Sequence, residues 1–379
     1  MTFQLTEDQE MIRQLARDFA EAELAPIAAK IDQEEYIPET VIQKMAEIGF
    51  TALNVPEAYG GPELDTVSKV LVVSELARAC ASTAEIIAVH TLVNDIFLVH
   101  GTEEQKRKYL TAAVEGKIGA FALTEPGAGS DAAAAKTKAV VDGDDYIING
   151  SKCFISNMGP SEGDYVVVIA LTDPELKTRG MSAIVVDRNT PGFTIGKREE
   201  KMGIRGADIS ELVFEDCRVP RSNLIGAEGQ GFKIAMMALD GGRVGMAAQG
   251  LGIADAAIEA TVKYMGERVQ FGKPIGKLQG LQWYLADMAT RTEAAWALTL
   301  EAACALDEGR PATKLAAMCK YYAAENAVWV TNKALQIHGG YGYMRDYPIE
   351  RMYRDARIVP IYEGTSEIQK GIIARELLK

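Results

Sequence analysis

The hydrophobic periodicity of the chain changes twice, and these changes constrain its fold more than any other feature. Residues 1–117 carry apolar side chains at three- and four-residue steps, the spacing of amphipathic helices. Residues 118–228 carry short β-branched or aromatic runs between turn residues, which indicates strands. Helical spacing returns over residues 229–379. The sequence therefore predicts a three-domain α+β protein, with an N-terminal helical domain, a central antiparallel β domain of barrel or sandwich type and a C-terminal four-helix bundle.

Individual helices and strands follow from the same periodicity. The predicted helices include Thr66–Ala81, Ala84–Val99, Glu103–Glu115, Phe232–Met265, Leu278–Leu306 and Pro311–Ile337. The predicted strands include Lys136–Val141, Tyr146–Ile148, Lys152–Ser156, Tyr165–Leu171, Met181–Val186, Phe193–Gly196 and Glu211–Phe214. Because Asp-Gly and Asn-Gly favour two-residue hairpin loops, turns are expected at Asp142-Gly143 and at Asn149-Gly150.

The composition argues against several classes of function. With 40 basic and 53 acidic residues, the net charge of −13 makes a nucleic-acid partner unexpected. Five scattered cysteines and three histidines lack the spacing of a disulfide framework or a metal site, so neither is expected. No plainly apolar stretch approaches the roughly 20 residues that cross a bilayer. Difficult chemistry in such a chain is expected to come from an organic cofactor.

The N-terminal segment shows no secretory or transit pattern. We expect a cytoplasmic protein, or a mitochondrial matrix protein if the chain is a processed mature form.

A glycine-rich segment, Gly127–Ala132, fits the dinucleotide-binding pattern G-x-G-x-x-G/A. That motif requires a following helix of ten or more residues, and only five residues precede the next strand signals. A Rossmann turn is therefore disfavoured. Two readings stay open, a loop whose backbone N–H groups approach a ligand and a plain surface turn.

Glu363 lies between the apolar segment Val359–Tyr362 and a helix start, where Ser366 and Gln369 fit a capping box. Apolar surroundings would raise the pKa of this carboxyl group, as a general base near neutrality requires. The alternative is an exposed loop glutamate. Further along the bundle, Gln336–Gly342 and Arg268–Pro274 end two long helices, where they would form ordinary C-terminal caps or ligand contacts.

Two segments carry a resemblance to a known family. Ala122–Asp131 resembles one signature of the acyl-CoA dehydrogenases, and Gln336–Gly342 with Arg351–Asp355 resembles the other. The whole chain is most similar to the short-chain, butyryl-CoA branch. The resemblance implies the three-domain fold of that family and a homotetramer, a dimer of dimers, with one FAD per subunit.

The resemblance also implies roles for individual residues. The flavin ring would be contacted by Phe121, Leu123, Thr124, Ser130, Phe154 and Ser156. Phe154 and Ser156 stand where relatives commonly carry Trp and Thr. The FAD of a neighbouring subunit would be held by Arg268, Phe271, Gln279, Gln336, Gly339 and Gly340. Thr365 and Glu367 would approach the subunit's own FAD. The acyl-CoA substrate would contact Ser130, Asp240, Arg243, Tyr362 and Gly364.

By the same resemblance, Glu363 is the catalytic base that removes the α-proton, while the β-hydrogen leaves as hydride to the flavin. The product would be a trans-2-enoyl-CoA, and electrons would pass to an electron-transferring flavoprotein. Some relatives carry their base at the position of Gly242, which cannot serve here. Alternatives are a branched- or medium-chain specificity, an acyl-CoA oxidase that uses O₂, and a catalytically silent flavin-binding protein.

Overall fold

A computed structural model describes residues 4–159 and 163–379 of the chain. Residues 1–3 lie outside this part. They belong to the N-terminal segment from which we predicted that a targeting sequence is absent. The N-terminal helices are α1 (Glu7–Phe19), α2 (Ala28–Glu34), α3 (Glu39–Glu47), α4 (Thr66–Ala79), α5 (Ala81–His100) and α6 (Glu103–Val114). The strands of the central part are β1 (Gly119–Ala122), β2 (Lys138–Asp142), β3 (Asp145–Ser156), β4 (Tyr165–Leu171), β5 (Met181–Asp187), β6 (Phe193–Arg198), β7 (Ile209–Pro220) and β8 (Leu224–Ile225).

The C-terminal part is helical again, which confirms the predicted α, β, α order. Its elements are α7 (Gly231–Glu267), β9 (Val269–Gln270), β10 (Lys273–Pro274), α8 (Gln279–Asp307), α9 (Thr313–His338), α10 (Ile349–Ala356) and α11 (Ser366–Leu377). The 37 residues of α7 form one helix about 55 Å long. Helices α7, α8 and α9 pack against one another and α11 packs on α9, as a bundle of four helices requires.

The central sheet has the strand order β6-β7-β3-β2-β4-β5-β8, and β1 also pairs with β4. Most neighbours are antiparallel, but β1 and β2 each run parallel to β4. The expectation of a wholly antiparallel domain is therefore wrong at β4. The long connection from β1 to β4, which carries the glycine-rich loop and the β2–β3 hairpin, permits the parallel pairing, because parallel neighbours need a crossover.

One of the two predicted hairpins is present. Asp142 pairs with Asp145 at the end of the β2–β3 ladder, so the turn at Asp142-Gly143 is confirmed. Asn149-Gly150 instead lies inside β3, at a bulge opposite β7. A Cβ on Gly150 would come within 2.6 Å of the Thr137 Oγ1 atom. The glycine at 150 therefore permits close approach of a neighbouring segment, which the dipeptide alone does not distinguish from a turn.

The N-terminal and C-terminal helices share one hydrophobic core. Leu76 of α4 and Ile87 of α5 belong to the same buried cluster as Leu251 of α7 and Ala323 of α9. A second cluster joins α5 and α6 to the sheet and to α7. Helix α5 therefore runs at the junction of all three parts. Among the described residues α5 alone is long and apolar enough to cross a membrane, which the sequence expectation missed, but 78% of that stretch is buried inside the protein.

Candidate active site

Glu363 lies on the short segment between α10 and α11, where side chains of two helices hydrogen-bond to the backbone. Its φ of 54° is in the left-handed region, which is strained for a residue other than glycine. Gln369 donates from Nε2 to the Glu363 carbonyl oxygen at 3.1 Å, and Lys320 Nζ donates to the Gly364 carbonyl oxygen at 2.7 Å. Thr365, and not Ser366, caps α11, because its hydroxyl accepts from the backbone N–H of Ile368. These contacts position the carboxylate.

One oxygen of the Glu363 carboxylate is shielded from water, although the residue as a whole is half-buried. Its Oε2 atom is buried and has no hydrogen-bond partner, so this residue is not a simple exposed loop glutamate. Burial raises the pKa of Glu363 to about 7, while the charges of Arg243 and Lys320 act in the opposite direction. Near neutral pH the group is therefore poised to accept or to donate a proton.

Gly242 on α7 faces this carboxylate directly. A Cβ at position 242 would lie 2.7 Å from Glu363 Oε2 and 2.6 Å from Leu92 Cδ1. Glycine at this position leaves room for the Glu363 side chain. A carboxylate borne by residue 242 would compete for the same space.

Arg243 is buried one residue further along α7. Its Nη1 donates to Asp240 Oδ1 at 2.5 Å, and Thr313 Oγ1 donates to the other Asp240 oxygen at 2.7 Å. The Nε of Arg243 is buried without a partner. Arg243 follows Gly242 on α7, and its positive charge acts to lower the pKa of Glu363. Tyr362, the residue before Glu363, donates its hydroxyl to Gln249 Oε1 of α7.

The residues expected at the flavin ring come from neighbouring stretches around β1 and β3. The backbone N–H of Cys153 donates to the Thr124 carbonyl oxygen at 3.0 Å, and buried Lys152 donates to the Leu123 carbonyl oxygen at 3.0 Å. These bonds place the Phe121–Thr124 stretch beside Phe154, which has positive φ and is 66% exposed.

Ser130 is exposed on the glycine-rich loop, where Glu125 and Ala128 form a tight turn. A helical turn of three residues, Ala132–Ala134, follows this loop. The long helix of a Rossmann site is therefore absent there.

A second group of expected residues lies elsewhere. A groove of about 580 Å³ lies where α7 and α9 end, and its lining includes Arg268, Phe271, Gly339 and Gly340. Gln279 and Gln336 are exposed near the same helix ends. Along α7, position 268 is about 39 Å from Gly242. The groove therefore lies far from the Gly242–Glu363 site within a single chain.

Two buried charged residues near Glu363 escaped the sequence reasoning. Glu85 of α5 and Lys320 of α9 are both fully buried. Burial lowers the pKa of Lys320 to about 8. Each is the single charged residue of a largely apolar stretch of helix, and this pattern could have indicated a buried charge. Within residues 4–159 and 163–379, no group of three or more His, Cys, Asp or Glu side chains could hold a metal ion.

Three domain models of one protein family match successive parts of the chain. Residues 6–117 match the acyl-CoA dehydrogenase N-terminal domain, residues 120–217 the middle domain and residues 229–378 the C-terminal domain. The chain belongs to the acyl-CoA dehydrogenase family. It is accordingly an oxidoreductase acting on acyl-CoA, and the resemblance drawn from the sequence is confirmed.

Two curated relatives are similar over the whole chain. One, from Anaerotignum propionicum, is named acryloyl-CoA reductase (NADH) and is 56% identical, covering 100% of this chain and 96% of the relative. Another, from Clostridium acetobutylicum, is named a short-chain specific acyl-CoA dehydrogenase and is 49% identical, covering 100% of both.

Solved structures agree with the fold. Butyryl-CoA dehydrogenase from Megasphaera elsdenii is 45% identical with a TM-score of 0.97, covering 100% of both chains. A chain from work on the electron transferring flavoprotein of Acidaminococcus fermentans and flavin-based electron bifurcation is 48% identical with a TM-score of 0.98, again covering 100% of both.

Proposed function

We propose that this enzyme catalyses the FAD-dependent α,β-dehydrogenation of a short-chain acyl-CoA, butyryl-CoA, to the trans-2-enoyl-CoA. The observation that carries the proposal is the Glu363 carboxylate, whose Oε2 atom is buried, unpartnered and close to Gly242. Similarity to a short-chain specific acyl-CoA dehydrogenase and to a butyryl-CoA dehydrogenase supports the substrate class.

In this proposal Glu363 removes the α-proton of the thioester. Ionised Glu363 has no competing hydrogen bond at Oε2, so this oxygen is free to accept the proton. Arg243 and Lys320 keep a part of the group ionised near neutrality, because their positive charges oppose the effect of burial on its pKa. The hydrogen bonds from Gln369 and Lys320 to the backbone fix the carboxylate relative to the pocket.

The residues around β1 and β3 fit a flavin. The aromatic ring of Phe154 is exposed, and a Cβ at Gly127 or at Gly129 would meet no atom within 4 Å, so nothing blocks a ligand at this surface. We propose that Phe121, Leu123, Thr124, Ser130, Phe154 and Ser156 hold the ring, with Thr365 and Glu367 nearby. The chemistry that FAD supplies when bound is acceptance of the β-hydrogen as a hydride.

The distant groove supports a shared cofactor. Because the groove is about 39 Å from Gly242 along α7, longer than an extended flavin dinucleotide, one chain cannot use both places for a single FAD. Phe271 in the groove is 90% exposed, and Tyr343 nearby is 75% exposed, as expected of an interface. We therefore propose that Arg268, Phe271, Gln279, Gln336, Gly339 and Gly340 hold the FAD of a neighbouring subunit within a homotetramer, a dimer of dimers.

We propose an electron-transferring flavoprotein as the electron acceptor, supported by similarity to the chain from the Acidaminococcus fermentans work. We also propose domains at residues 1–117, 118–228 and 229–379, and the cytoplasm as the compartment, or the mitochondrial matrix for a processed form.

The relative named acryloyl-CoA reductase supports a second candidate, reduction of a three-carbon enoyl-CoA at the same site. Protonated Glu363 would then give its proton to the α-carbon, and the hydride for the β-carbon is the chemistry that reduced FAD would supply when bound. Since its pKa is about 7, both forms of Glu363 are populated at neutral pH.

The test is anaerobic mixing of the flavin-loaded enzyme with butyryl-CoA, followed by the visible flavin absorbance. The flavin absorbance of the wild-type enzyme should bleach, and that of the Glu363→Gln variant should not. The control variant Glu104→Gln, at an exposed position, should bleach as the wild type does. Bleaching by Glu363→Gln at the wild-type rate would contradict the role of the base.

Two further measurements separate the alternatives. Rates over acyl chains of three to eight carbons test the short-chain assignment, which a maximum at eight carbons would overturn. Rapid reoxidation in air with stoichiometric peroxide would favour an oxidase.

A further inference from the structure

Lys152 of β3 and Glu125 form a buried ion pair beside the segments proposed to hold the flavin ring. Both side chains are buried, and that of Lys152 is completely so. The Lys152 Nζ atom donates to Glu125 Oε1 at 2.8 Å and to the Leu123 carbonyl oxygen at 3.0 Å. The ammonium group therefore ties both Glu125 and the end of the Phe121–Thr124 stretch to β3.

Glu125 also closes the base of the glycine-rich loop. Its Oε2 atom accepts a hydrogen bond from the backbone N–H of Lys136 at 2.6 Å, and its Oε1 atom accepts one from the N–H of Thr137 at 3.0 Å. Ser130 lies on the loop between these bonded ends. Although burial alone would raise it, the bonds from Lys152 and from the Lys136 N–H hold the pKa of Glu125 below its usual value. The carboxylate is therefore ionised near neutral pH.

Lys152 stands at the start of an irregularity in β3 that turns Phe154 outward. The pairing register of β3 with β7 shifts between Lys152 and Ile155. Within this bulge Phe154 has a φ of 57° and is exposed, whereas Ile155 is buried. Bulges redirect individual side chains. The two hydrogen bonds of the Lys152 ammonium group fix the strand where this bulge begins.

The burial of these charges is not explained by stability alone. The cost of removing two charges from water often exceeds the energy of their attraction, and well-packed apolar residues can replace such a pair without loss of stability. The Lys152–Glu125 pair instead joins three separate segments, which are the end of β1, the base of the glycine-rich loop and β3. Each of these segments carries residues proposed to hold the flavin ring.

We propose that Lys152 and Glu125 are positioning residues that hold these three segments in one arrangement before FAD binds. The inference rests on the proposed function, because the flavin surface is itself part of that proposal. Neither side chain needs to touch the cofactor. Lys152 acts through the Leu123 carbonyl group and the orientation of Phe154, and Glu125 acts through the loop that bears Ser130. Binding to a preformed surface avoids the cost of ordering the segments at that moment.

The test is the affinity of the full-length apoprotein for FAD, measured by quenching of flavin fluorescence. Lys152→Met keeps an unbranched side chain but removes the donor to Leu123 and Glu125. Its Kd for FAD should rise about tenfold or more. Glu125→Gln, which removes the charge and keeps one acceptor oxygen, should weaken FAD binding less. The visible circular dichroism of FAD bound at saturation, which reports how the ring is held, should change in Lys152→Met.

A second ion pair with a buried carboxylate supplies the control. Arg17 of α1 lies 3.0 Å from Glu75 of α4, and this pair makes no described hydrogen bond to the three segments. Arg17→Met should lower the urea midpoint of the apoprotein and keep the FAD Kd within twofold of wild type. A Lys152→Met apoprotein that is less stable but binds FAD as wild type does would show a structural role only and overturn the proposal. If Lys152→Met does not fold, unchanged FAD affinity in Glu125→Gln overturns it.

The binding measurement also separates this inference from the proposed reaction. If wild type binds FAD, the Lys152→Met variant binds it weakly and no acyl-CoA bleaches the flavin, the proposed reaction fails and the positioning role stands. If an acyl-CoA bleaches the wild-type flavin while the variant binds FAD with wild-type affinity, the reaction stands and the positioning role fails.

Discussion

Gly242→Ala should disable the enzyme by displacing its base. The added Cβ would lie 2.7 Å from Glu363 Oε2 and 2.6 Å from Leu92 Cδ1, well inside ordinary contact distance. Relief requires the carboxylate or the leucine to move by roughly 0.5–1 Å. Since a displacement of about 1 Å from the reactive geometry costs up to about 100-fold in rate, kcat should fall about 10- to 100-fold.

The effect on stability should be small, which separates displacement from misfolding. Overpacking costs about 1–3 kcal/mol, whereas replacing a helical glycine by alanine contributes about 1 kcal/mol. The net loss should therefore stay below about 2 kcal/mol. Steady-state kcat with a saturating acyl-CoA and urea denaturation of the same preparation measure the two effects.

Gly266→Ala on the same helix is the matched control. Position 266 is exposed, and an added Cβ would meet nothing within 4 Å. This variant should keep wild-type kcat and gain up to about 1 kcal/mol. The reasoning is refuted if Gly242→Ala keeps kcat within twofold of wild type while Glu363→Gln is inactive.

Three further predictions concern ionisation and assembly. Because Glu363 with a pKa of about 7 must be ionised to act, kcat should rise about tenfold from pH 6 to pH 8, and a flat profile would contradict this. Its folded-state pKa is raised from 4.5, so its contribution to stability is present below pH 4.5 and lost as the pH rises through 7. The Glu363→Gln variant should therefore have a free energy of unfolding up to about 3 kcal/mol above that of the wild type at pH 8, but not at pH 4.5. Urea denaturation at the two pH values measures this difference. An equal difference at both pH values would contradict the raised pKa of Glu363. Phe271→Asp should lower flavin content and oligomer mass in light scattering, whereas an unchanged tetramer with full flavin would exclude the groove as an interface.

The sequence predicted the order of helical and strand segments well, because apolar periodicity reports directly on which face is buried. The six long helices predicted from the sequence begin and end within three residues of the observed bounds. Asn149-Gly150 was misread because the same dipeptide serves a turn and a close backbone approach. The parallel pairing of β1 and β2 with β4 depends on a long-range connection that no local pattern contains.

The candidate site was predicted only in part for the same reason. Glu363 could be predicted as a candidate base because its apolar neighbours adjoin it in the sequence. Its contact with Gly242, the nearby charge of Arg243 and the burial of Glu85 arise between segments far apart in the chain. Such proximity appears only once the helices have packed.

The core shared by the N-terminal and C-terminal helices has a consequence for synthesis of the chain. Leu76 and Ile87 are covered by Leu251 and Ala323, which the ribosome adds more than 150 residues later. Until then the first helices expose apolar surface, which favours aggregation and the binding of chaperones. A chain truncated before α7 is therefore expected to be unstable. The shared core can form only after the C-terminal helices have been synthesised.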